Sequence, residues 1–260
     1  MKIASWNVNS LKVRLPQVLD WINLNQPDVL CLQETKQNND NFPHDVFEKR
    51  GLFSYHNGQN TYNGVAIISN KELIDVQFDI PNFYDEQKRL ISGIYPKDED
   101  PKFRIISAYI PNGQSLNSDK FEYKMNWLKS FISSLQKKID GVENIITGDF
   151  NIAPKKLDCY DSKSWDGKIL VSPQEREYFD KLLNLGFIDT FREMNPKANE
   201  FSWWDYRIPF KRNLGMRIDH ILLSKNLLTY LKKAYIDKTT RVLERPSDHV
   251  PVVTELSLNP

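Results

Sequence analysis

The chain has 260 residues, of which 40% are hydrophobic and 12% aromatic, and its formal net charge is +1. A chain of this size and composition can bury a large core. It contains no run of about 18 apolar residues, so a transmembrane segment is excluded. The share of hydrophobic and aromatic residues argues against a largely disordered chain. The small net charge neither supports nor excludes a nucleic-acid partner, because binding depends on where the charges lie.

The first residues and the cysteines indicate the cellular compartment. The start, MKIASWN, leads directly into a strand-like pattern and lacks the apolar segment of a secretory signal. Cys31 and Cys159 have no CxxC spacing, so we expect neither a disulfide framework nor a structural zinc site. Cys31, in the apolar run VLCLQ, is expected to lie in the core. We therefore expect a cytoplasmic protein with no membrane partner.

Short, β-branched segments bounded by Pro, Gly, Asn or Asp predict strands along the whole chain. The predicted strands cover residues 2–7, 28–33, 64–69, 89–95, 103–110, 143–148, 217–224 and 250–257. Helices are predicted near 16–25, over about 119–138 and over about 173–184. No repeat, linker or change in composition divides the chain, so we expect a single domain over residues 1–260. The order of elements favours an α/β fold in which mixed sheets pack face to face with helices outside.

Each predicted helix carries its own signal. The first is expected to begin at Pro16. The third has a capping box formed by Ser172 and Glu175, with Gly186 just beyond its end. In the second, apolar residues recur at spacings of four and three, which predicts one stripe against a sheet. This stripe consists of Phe121, Met125, Leu128, Ile132, Leu135 and Ile139.

Basic residues cluster in three parts of the sequence. The clusters are Lys12 with Arg14, Lys120 with Lys124, and Arg207, Lys211, Arg212 and Arg217. Taken alone, each cluster is more typical of a solvated face than of a binding site. The charge pattern therefore leaves a nucleic-acid interface open.

Polar residues suited to catalysis stand at five places where an apolar strand ends or begins. In chain order they are Asn7 with Asn9, Glu34, Asp149 with Asn151, Asp219, and Asp248 with His249. The first three sets close their strands and the last two open theirs. Antiparallel placement would therefore bring all five sets to one rim of the sheets, where a cleft can form.

Each of these residues has a simpler structural explanation when it is taken alone. A single Asp at a strand end is usually a turn former, and His249 alone is typical of a buried, hydrogen-bonded histidine. The five junctions together favour function. Carboxylates with oxygen-bearing neighbours suit a hard cation such as Mg²⁺ or Mn²⁺, and the lack of paired His or Cys ligands argues against zinc.

Five motifs occur in order along almost the whole chain, from about Ile3 to Leu256: WNVNSL, LQETK, GDFNIAP, RIDHILLS and PSDHVPV. This set resembles the exonuclease III family of abasic-site endonucleases, within the endonuclease/exonuclease/phosphatase superfamily. The segments YIPNG, KFEYK and FSWWDYR are similar to the abasic-endonuclease branch. The resemblance implies a four-layered α/β sandwich forming a single catalytic domain.

The resemblance also implies a metal site and a phosphate site. Glu34, helped by Asn9, would hold Mg²⁺ or Mn²⁺ near the scissile phosphate, and Asp248 would contribute to the same environment. Tyr109 would donate to the phosphate or lie near the leaving oxygen.

Catalytic roles are implied for the remaining junction residues. Asp149 would deprotonate the attacking water, while Asn7 and Asn151 would orient Asp149 and the phosphate. His249 would donate to a nonbridging phosphate oxygen, and Asp219 would accept its other N–H. These groups would meet the needs of diester hydrolysis, which are charge neutralisation, an in-line water and a stabilised leaving oxygen.

The aromatic segment FSWWDYR and its basic flank RIPFKRNLGMR are similar to a damaged-nucleotide pocket beside a phosphate-binding ridge. By resemblance, Trp203, Met216 and Ile218 line a pocket that admits a sugar without a base, whereas Trp204 is structural. Other positions that match family residues near double-stranded DNA are Arg89, Asn112, Lys120 and Tyr62.

The sequence departs from animal relatives at two places. They carry Asp where Asn9 stands, and a basic DNA-inserting residue follows their NG turn, where this chain has Gln114, Ser115 and Leu116. These differences leave open the strength of metal binding and the mode of DNA distortion.

The sequence therefore predicts a monomeric DNA repair phosphodiesterase that cuts 5′ to abasic sites, with 3′-phosphodiesterase and 3′-to-5′ exonuclease activity as further options. Three alternatives stay open. The first is another hydrolase of the superfamily, such as an inositol-phosphate phosphatase or a sphingomyelinase. The second is a nonspecific deoxyribonuclease, and the third is a catalytically silent binding module.

Overall fold

The computed structural model describes residues 1–136 and 141–258. Within these ranges the strands, labelled in chain order, are β1 (Lys2–Asn7), β2 (Val29–Gln33), β3 (Phe53–Asn57), β4 (Val65–Ser69), β5 (Ile74–Phe78), β6 (Leu90–Tyr95), β7 (Lys102–Tyr109), β8 (Val142–Asp149), β9 (Phe187–Asp189), β10 (Trp203–Trp204), β11 (Gly215–Met216), β12 (Asp219–Ser224), β13 (Leu231–Ile236) and β14 (Val252–Leu256). The α-helices are α1 (Leu11–Asn25), α2 (His44–Glu48), α3 (Asp119–Ser134), α4 (Pro173–Asn184) and α5 (Thr190–Met194).

Two mixed sheets of six strands form the centre of the molecule. The first has the order β13-β14-β1-β2-β4-β3, and β1 and β2 run parallel with Asn7 opposite Gln33. The second has the order β5-β6-β7-β8-β12-β9. There β7 and β8 run parallel with Tyr109 opposite Asp149, and β12 is antiparallel to β8 with Asp219 opposite Asp149.

In the described residues, the alternation of side chains along the strands of these two sheets divides their apolar residues among three of the four hydrophobic clusters. Between the sheets lie Ile3, Cys31, Ile67, Phe103, Ile105, Ile145 and Ile221. The outer face of the first sheet packs on α1 through Trp6, Leu30, Val18, Trp21 and Ile22. The outer face of the second packs on α3 and α4 through Ile106, Ala108, Trp127, Leu128, Phe131 and Phe179. The resulting four layers confirm the predicted fold class.

The predicted helix boundaries hold for α4 and fail for α1. The Ser172 and Glu175 capping box begins α4 as predicted. The prediction that the first helix starts at Pro16 is wrong, because α1 begins at Leu11 and Pro16 lies inside it. The early start depends on a tertiary contact: Leu11 N donates to Thr35 O at 3.1 Å, which fixes the first turn before the proline.

The second predicted helix is shorter than its apolar pattern suggested. It ends at Ser134 rather than near residue 138, and Ile139 lies outside the described residues. The interpretation of Lys120 and Lys124 as one solvated face is wrong for Lys124, which is 0% exposed, whereas Lys120 is exposed. In the described residues no helix is long and apolar enough to span a membrane.

Candidate active site

The strand topology brings the polar strand ends together at one end of the sandwich. Because β1 runs parallel to β2 and β7 to β8, the carboxyl ends of each pair meet at the same edge. Asp219 begins β12 directly opposite Asp149, and His249 pairs with Trp203 across an isolated bridge. The sequence expectation of a common rim is therefore met by the structure, although two of the strand pairs that build it are parallel.

Several turns at this rim have unusual backbone conformations. Asn9, Glu34 and Asn151 all adopt positive φ, at 43°, 52° and 51°, just after a strand ends. Gly148, the residue before Asp149, has no room for a side chain, because a Cβ would lie 1.8 Å from Ala108 O. These backbone conformations raise the energy of the folded chain, so they persist only where surrounding contacts hold them. They cluster at functional sites.

A single amide group joins two carboxylates at the base of the cleft. Asn7 Nδ2 donates to Glu34 Oε1 and to Asp149 Oδ2, each at 2.9 Å, and Asn7 is completely buried. Potential ligand atoms of Glu34, Asp149 and His249 all lie within 4.8 Å of one another. These three residues form a compact group that could hold a metal ion.

Asp149 is the most deeply buried carboxylate of this group. Its side chain accepts from Asn7 Nδ2 and, at 2.9 Å, from the backbone N of Asn151. Burial raises the pKa of Asp149 to about 7, although the nearby charge of His249 favours the ionised form. A carboxylate with this pKa can both accept and release a proton near neutral pH.

His249 lies between two carboxylates. Its Nδ1 is 2.9 Å from Asp219 Oδ2, and its Nε2 is 3.7 Å from Asp149 Oδ2. Burial alone lowers the pKa of His249, but Asp219 and Asp149 raise it by more, to about 10. The ring therefore carries a proton at neutral pH and presents a charged N–H to the cleft.

Glu34 has a positive neighbour that the sequence analysis did not single out. Lys36 Nζ lies 2.9 Å from Glu34 Oε2 and 2.6 Å from Asn9 Oδ1. Burial raises the pKa of Glu34, but Lys36 and Asn7 lower it by more, so the carboxyl is ionised. Lys36 lies within the motif LQETK, two residues after Glu34. This spacing is the sequence feature that could have indicated their contact.

The donor set fits a hard cation. Glu34, Asp149 and Asn9 offer oxygen atoms, and an ammonium already lies within hydrogen-bond distance of two of these side chains, so the oxygens attract positive charge. Apart from His249, the candidate ligand atoms are therefore all oxygens, which suits a hard cation.

Asp248 contacts the residues beside this group. Its Oδ1 accepts from Asn9 Nδ2 and its Oδ2 from Trp203 Nε1, each at 3.0 Å. Asp248 therefore fixes the amide of Asn9, and its contribution to a metal environment stays a prediction.

Tyr109 and Arg89 form a stacked pair beside Glu34. Tyr109 OH donates to Glu34 Oε1 at 3.0 Å, and the Arg89 guanidinium carbon lies 4.7 Å from the centre of the Tyr109 ring. Arg89 is 9% exposed, and its donors reach Tyr109 O and Gln87 Oε1. In this structure Arg89 therefore supports Tyr109, and its expected place near DNA stays a prediction.

Asn151 contacts Asp149 through its backbone, while its side chain has other partners. Its Nδ2 donates to Ile110 O and its Oδ1 accepts from Asn112 Nδ2, each at 3.0 Å. Asn151 therefore orients Asp149 through its backbone N–H, while its side chain joins two turns. Asn112 lies exposed at the edge of these turns.

The residues expected to line a nucleotide pocket are not equally accessible. Trp203 is partly buried, but Met216 and Ile218 are 0% and 2% exposed. They pack on Cys159, Leu170 and Val171, with Trp165 and Ile169 at the edge of the same cluster. The structure thus brings Trp203 alone of the three to the surface. Trp204 is buried, as predicted, and Tyr62 is 67% exposed.

One further group holds Asp219 in place and escaped the sequence analysis. Ser202 Oγ donates to Asp219 Oδ2 at 2.6 Å and accepts from the backbone N of Asp219 at 3.1 Å. Ser202 belongs to the segment FSWWDYR, where its aromatic neighbours drew attention instead. Its hydroxyl keeps the carboxylate turned toward His249.

Comparisons with known proteins agree with this geometry. Residues 4–249 match the model of the endonuclease/exonuclease/phosphatase family. Exodeoxyribonuclease III of Haemophilus influenzae is 36% identical over 98% of this chain and 99% of its own length. The 3′ phosphatase NExo from Neisseria, solved with a product DNA hairpin, is 42% identical with a TM-score of 0.94 and 99% of both chains covered. An AP endonuclease from Archaeoglobus fulgidus is 34% identical with a TM-score of 0.93, covering 99% of this chain and 100% of that one.

The fold and the site thus define a hydrolytic nuclease. The chain belongs to the endonuclease/exonuclease/phosphatase family, and its relatives place it in the exonuclease III branch. The family resemblance noted from the five sequence motifs is confirmed.

Proposed function

We propose that the chain is a Mg²⁺-dependent (or Mn²⁺-dependent) DNA repair phosphodiesterase that hydrolyses the DNA backbone 5′ to abasic sites. The observation that carries this proposal is the arrangement of Asp149 and His249. A buried carboxylate with a raised pKa and a protonated imidazole face each other at 3.7 Å, and Glu34 lies beside them. This combination suits an anionic diester attacked by water.

In the proposed reaction, Asp149 accepts a proton from the attacking water as the water oxygen bonds to phosphorus and the bond to the 3′ oxygen breaks. Asn7 and the backbone N–H of Asn151 hold the two carboxylate oxygens of Asp149 for this role. His249, held by Asp219, donates to a nonbridging phosphate oxygen and offsets its negative charge. Proton transfer of this kind contributes roughly 10²- to 10⁴-fold to the rate.

Glu34, with Asn9, is proposed to hold the divalent ion, and Asp248 fixes the amide of Asn9. When bound, the ion neutralises charge on the phosphate and on the departing 3′ oxygen. Tyr109 donates to Glu34 in the free protein and is proposed to donate to the phosphate when DNA is bound. The exposed residues Asn112, Lys120 and Tyr62 are proposed to contact the DNA backbone.

Selectivity for abasic sites is proposed to depend on Trp203 and the residues beside it. An abasic sugar leaves the duplex cheaply because it has no base to unstack. Met216 and Ile218 are buried in a cluster against which Trp165, Ile169 and Trp203 pack, so a sugar reaches them only after a rearrangement. This burial, with the 42% identity to a protein described as a 3′ phosphatase, favours a second candidate activity on 3′ ends, either as a 3′-phosphodiesterase or as a 3′-to-5′ exonuclease.

We further propose that residues 1–260 form one catalytic domain that acts as a monomer in the cytoplasm. The cores on both sides of each sheet share strands, which supports a single folding unit. A monomer leaves the cleft free for a duplex.

The test uses three labelled DNA duplexes with Mg²⁺: one with a stable abasic analogue, one with a recessed 3′ end and one with a 3′ phosphate. We expect cleavage of the first, and products from the other two measure the second candidate activity. Asp149→Asn should lose at least about 10²-fold in rate, whereas Asp180→Asn, an exposed carboxylate on α4, should keep full activity. EDTA should abolish every product.

The same assay separates the rival functions. Hydrolysis of an inositol phosphate or sphingomyelin in preference to DNA would favour another branch of the family. Equal cleavage of intact and abasic duplexes would indicate a nonspecific deoxyribonuclease. Tight DNA binding without any cleavage would indicate a silent binding module.

A further inference from the structure

Lys124 is a fully buried cation on the sheet-facing side of α3. The same side carries the apolar residues Phe121 and Leu128, yet Lys124 is 0% exposed. Burial of an ammonium lowers stability unless the charge is paired and every donor has an acceptor. The groups that contact Lys124 therefore indicate the role of its charge.

All three donors of the ammonium have acceptors. Lys124 Nζ donates to Glu175 Oε1, to Asn151 O at 2.7 Å and to Asn112 O at 3.2 Å. Glu175 is itself fully buried and accepts from Ser172 N at 3.0 Å and Leu170 N at 3.1 Å. The start of α4 therefore fixes Glu175, which in turn fixes the ammonium.

The two backbone carbonyls belong to the turns that follow β7 and β8, next to the candidate active site. Asn112 Nδ2 donates to Asn151 Oδ1 at 3.0 Å, so the turns are also joined by their side chains. Asn151 has a φ of 51°, and its backbone N holds Asp149 Oδ1 at 2.9 Å. Lys124 therefore donates to the carbonyl of Asn151, and the backbone N–H of the same residue orients Asp149.

Gly113 shows how closely the first turn is packed on the lysine stem. Its φ is 88°, and a Cβ added there would lie 3.1 Å from Lys124 Cδ and 3.0 Å from Ile169 Cδ1. A side chain at this position would push the turn away from the ammonium. The glycine at position 113 therefore leaves the space that the buried Lys124 side chain occupies.

We propose that Lys124, with Glu175 as its partner, is a positioning residue for the hydrolysis: it ties the turns after β7 and β8 together and thereby fixes the orientation of Asp149. This inference rests on the proposed function, because it assigns Lys124 to the same reaction. It acts through Asn151 and does not require contact with DNA.

The experiment compares variants that remove the clamp with a variant that only weakens the core. Lys124→Met with Glu175→Gln removes both charges together, so no unpaired charge stays buried. Lys124→Gln with Glu175→Gln keeps an amide donor at position 124, leaves no charge buried and serves as the milder variant. Leu182→Ala, in the completely buried core beneath α4, is the matched control for lost stability. All proteins are compared well below their unfolding temperatures.

We expect kcat of Lys124→Met with Glu175→Gln to fall about 10²-fold, since a misplacement of a catalytic group by about 1 Å costs that much. KM should stay within about twofold, the milder variant should show a smaller loss, and Leu182→Ala should keep the native kcat. The amide NMR signal of Asn151 should shift and its hydrogen exchange should accelerate in both clamp variants only.

The proposal is overturned if the clamp variants lose stability as Leu182→Ala does while kcat and the Asn151 amide signal stay native. Failure of both clamp variants to fold would also count against it, because Lys124 would then serve folding. The NMR readout needs no substrate. An inactive wild-type protein would therefore refute the proposed function and still allow the clamp to be tested.

Discussion

His249 Nδ1 lies 2.9 Å from Asp219 Oδ2, with both residues buried, and this contact sets the charge of the ring that faces the cleft. Ser202 holds Asp219 from the other side. Because the carboxylates of Asp219 and Asp149 outweigh the effect of burial on the pKa of His249, the imidazole is protonated at neutral pH. Replacing Asp219 by Asn tests this contact, because Asn has nearly the same size and lacks the charge.

Asp219→Asn should leave the fold intact and lower kcat by about 10²- to 10⁴-fold, since an amide neither fixes the ring tautomer nor stabilises its charge. Steady-state cleavage of the abasic duplex measures the effect. Asp180→Asn, on the exposed face of α4, is the matched control. A change of less than threefold would show that Asp219 is dispensable for the role of His249.

Asn9→Asp should tighten the binding of Mn²⁺, because it adds a negative charge to the oxygen set that contains Glu34. Lys36, 2.6 Å from Asn9 Oδ1, will offset part of the gain. Isothermal titration of the protein without DNA gives the dissociation constant directly. Asn126→Asp, on the exposed side of α3, controls for net charge. If Asn9→Asp binds Mn²⁺ as the wild type does, Asn9 is not a ligand.

Arg89→Gln should lower kcat roughly 10-fold with little change in KM, because the guanidinium supports Tyr109 by a cation–π contact worth up to about 2 kcal/mol when desolvated. If Arg89 contacted the DNA backbone, its substitution would instead raise KM and reduce the dependence of KM on the salt concentration. Kinetics at two salt concentrations distinguish the two roles. Arg50→Gln, at an exposed position after α2, should change neither constant.

His220 should make the protein less stable in mild acid. It is buried, Arg217 Nη1 lies 2.9 Å from its Nδ1, and its Nε2 lies 2.9 Å from Ile152 O, which suits a neutral ring that donates from Nε2. Burial, with Arg217, lowers its pKa from 6.5 to about 4. The unfolded chain therefore binds a proton that the folded chain does not, and stability falls as the pH drops from 6.5 toward 4.

The lost stability from His220 amounts to about 3 kcal/mol across that whole interval, of which about 2 kcal/mol falls between about pH 7.5 and pH 5. Urea unfolding at these two pH values measures the smaller figure. His220→Gln cannot titrate and should flatten the dependence, although His56, whose pKa burial lowers to about 3, leaves a remainder. An unaltered slope in His220→Gln would contradict the assignment.

The predicted strands and those that escaped prediction occupy different places in the sheets. Every predicted strand matches an observed one within two residues, and they make up the central strands of both sheets. The longer strands that were missed are β3, β5, β9 and β13, which are the edge strands. An edge strand pairs on one side only and is partly exposed, so its sequence carries a weaker apolar pattern. In β13, for example, Lys232 and Lys233 are exposed.

The sequence by itself determined the central strands, the cap of α4 and the identity of the polar residues at the cleft, because these depend on local patterns and on residue types that the chemistry requires. Only the tertiary structure decided which partner each residue has. It turned Arg89 toward Tyr109, buried Met216, Ile218 and Lys124, and set Lys36 against Glu34. The physical reason is that burial, charge pairing and pKa depend on groups distant in sequence, whose distances no local pattern contains.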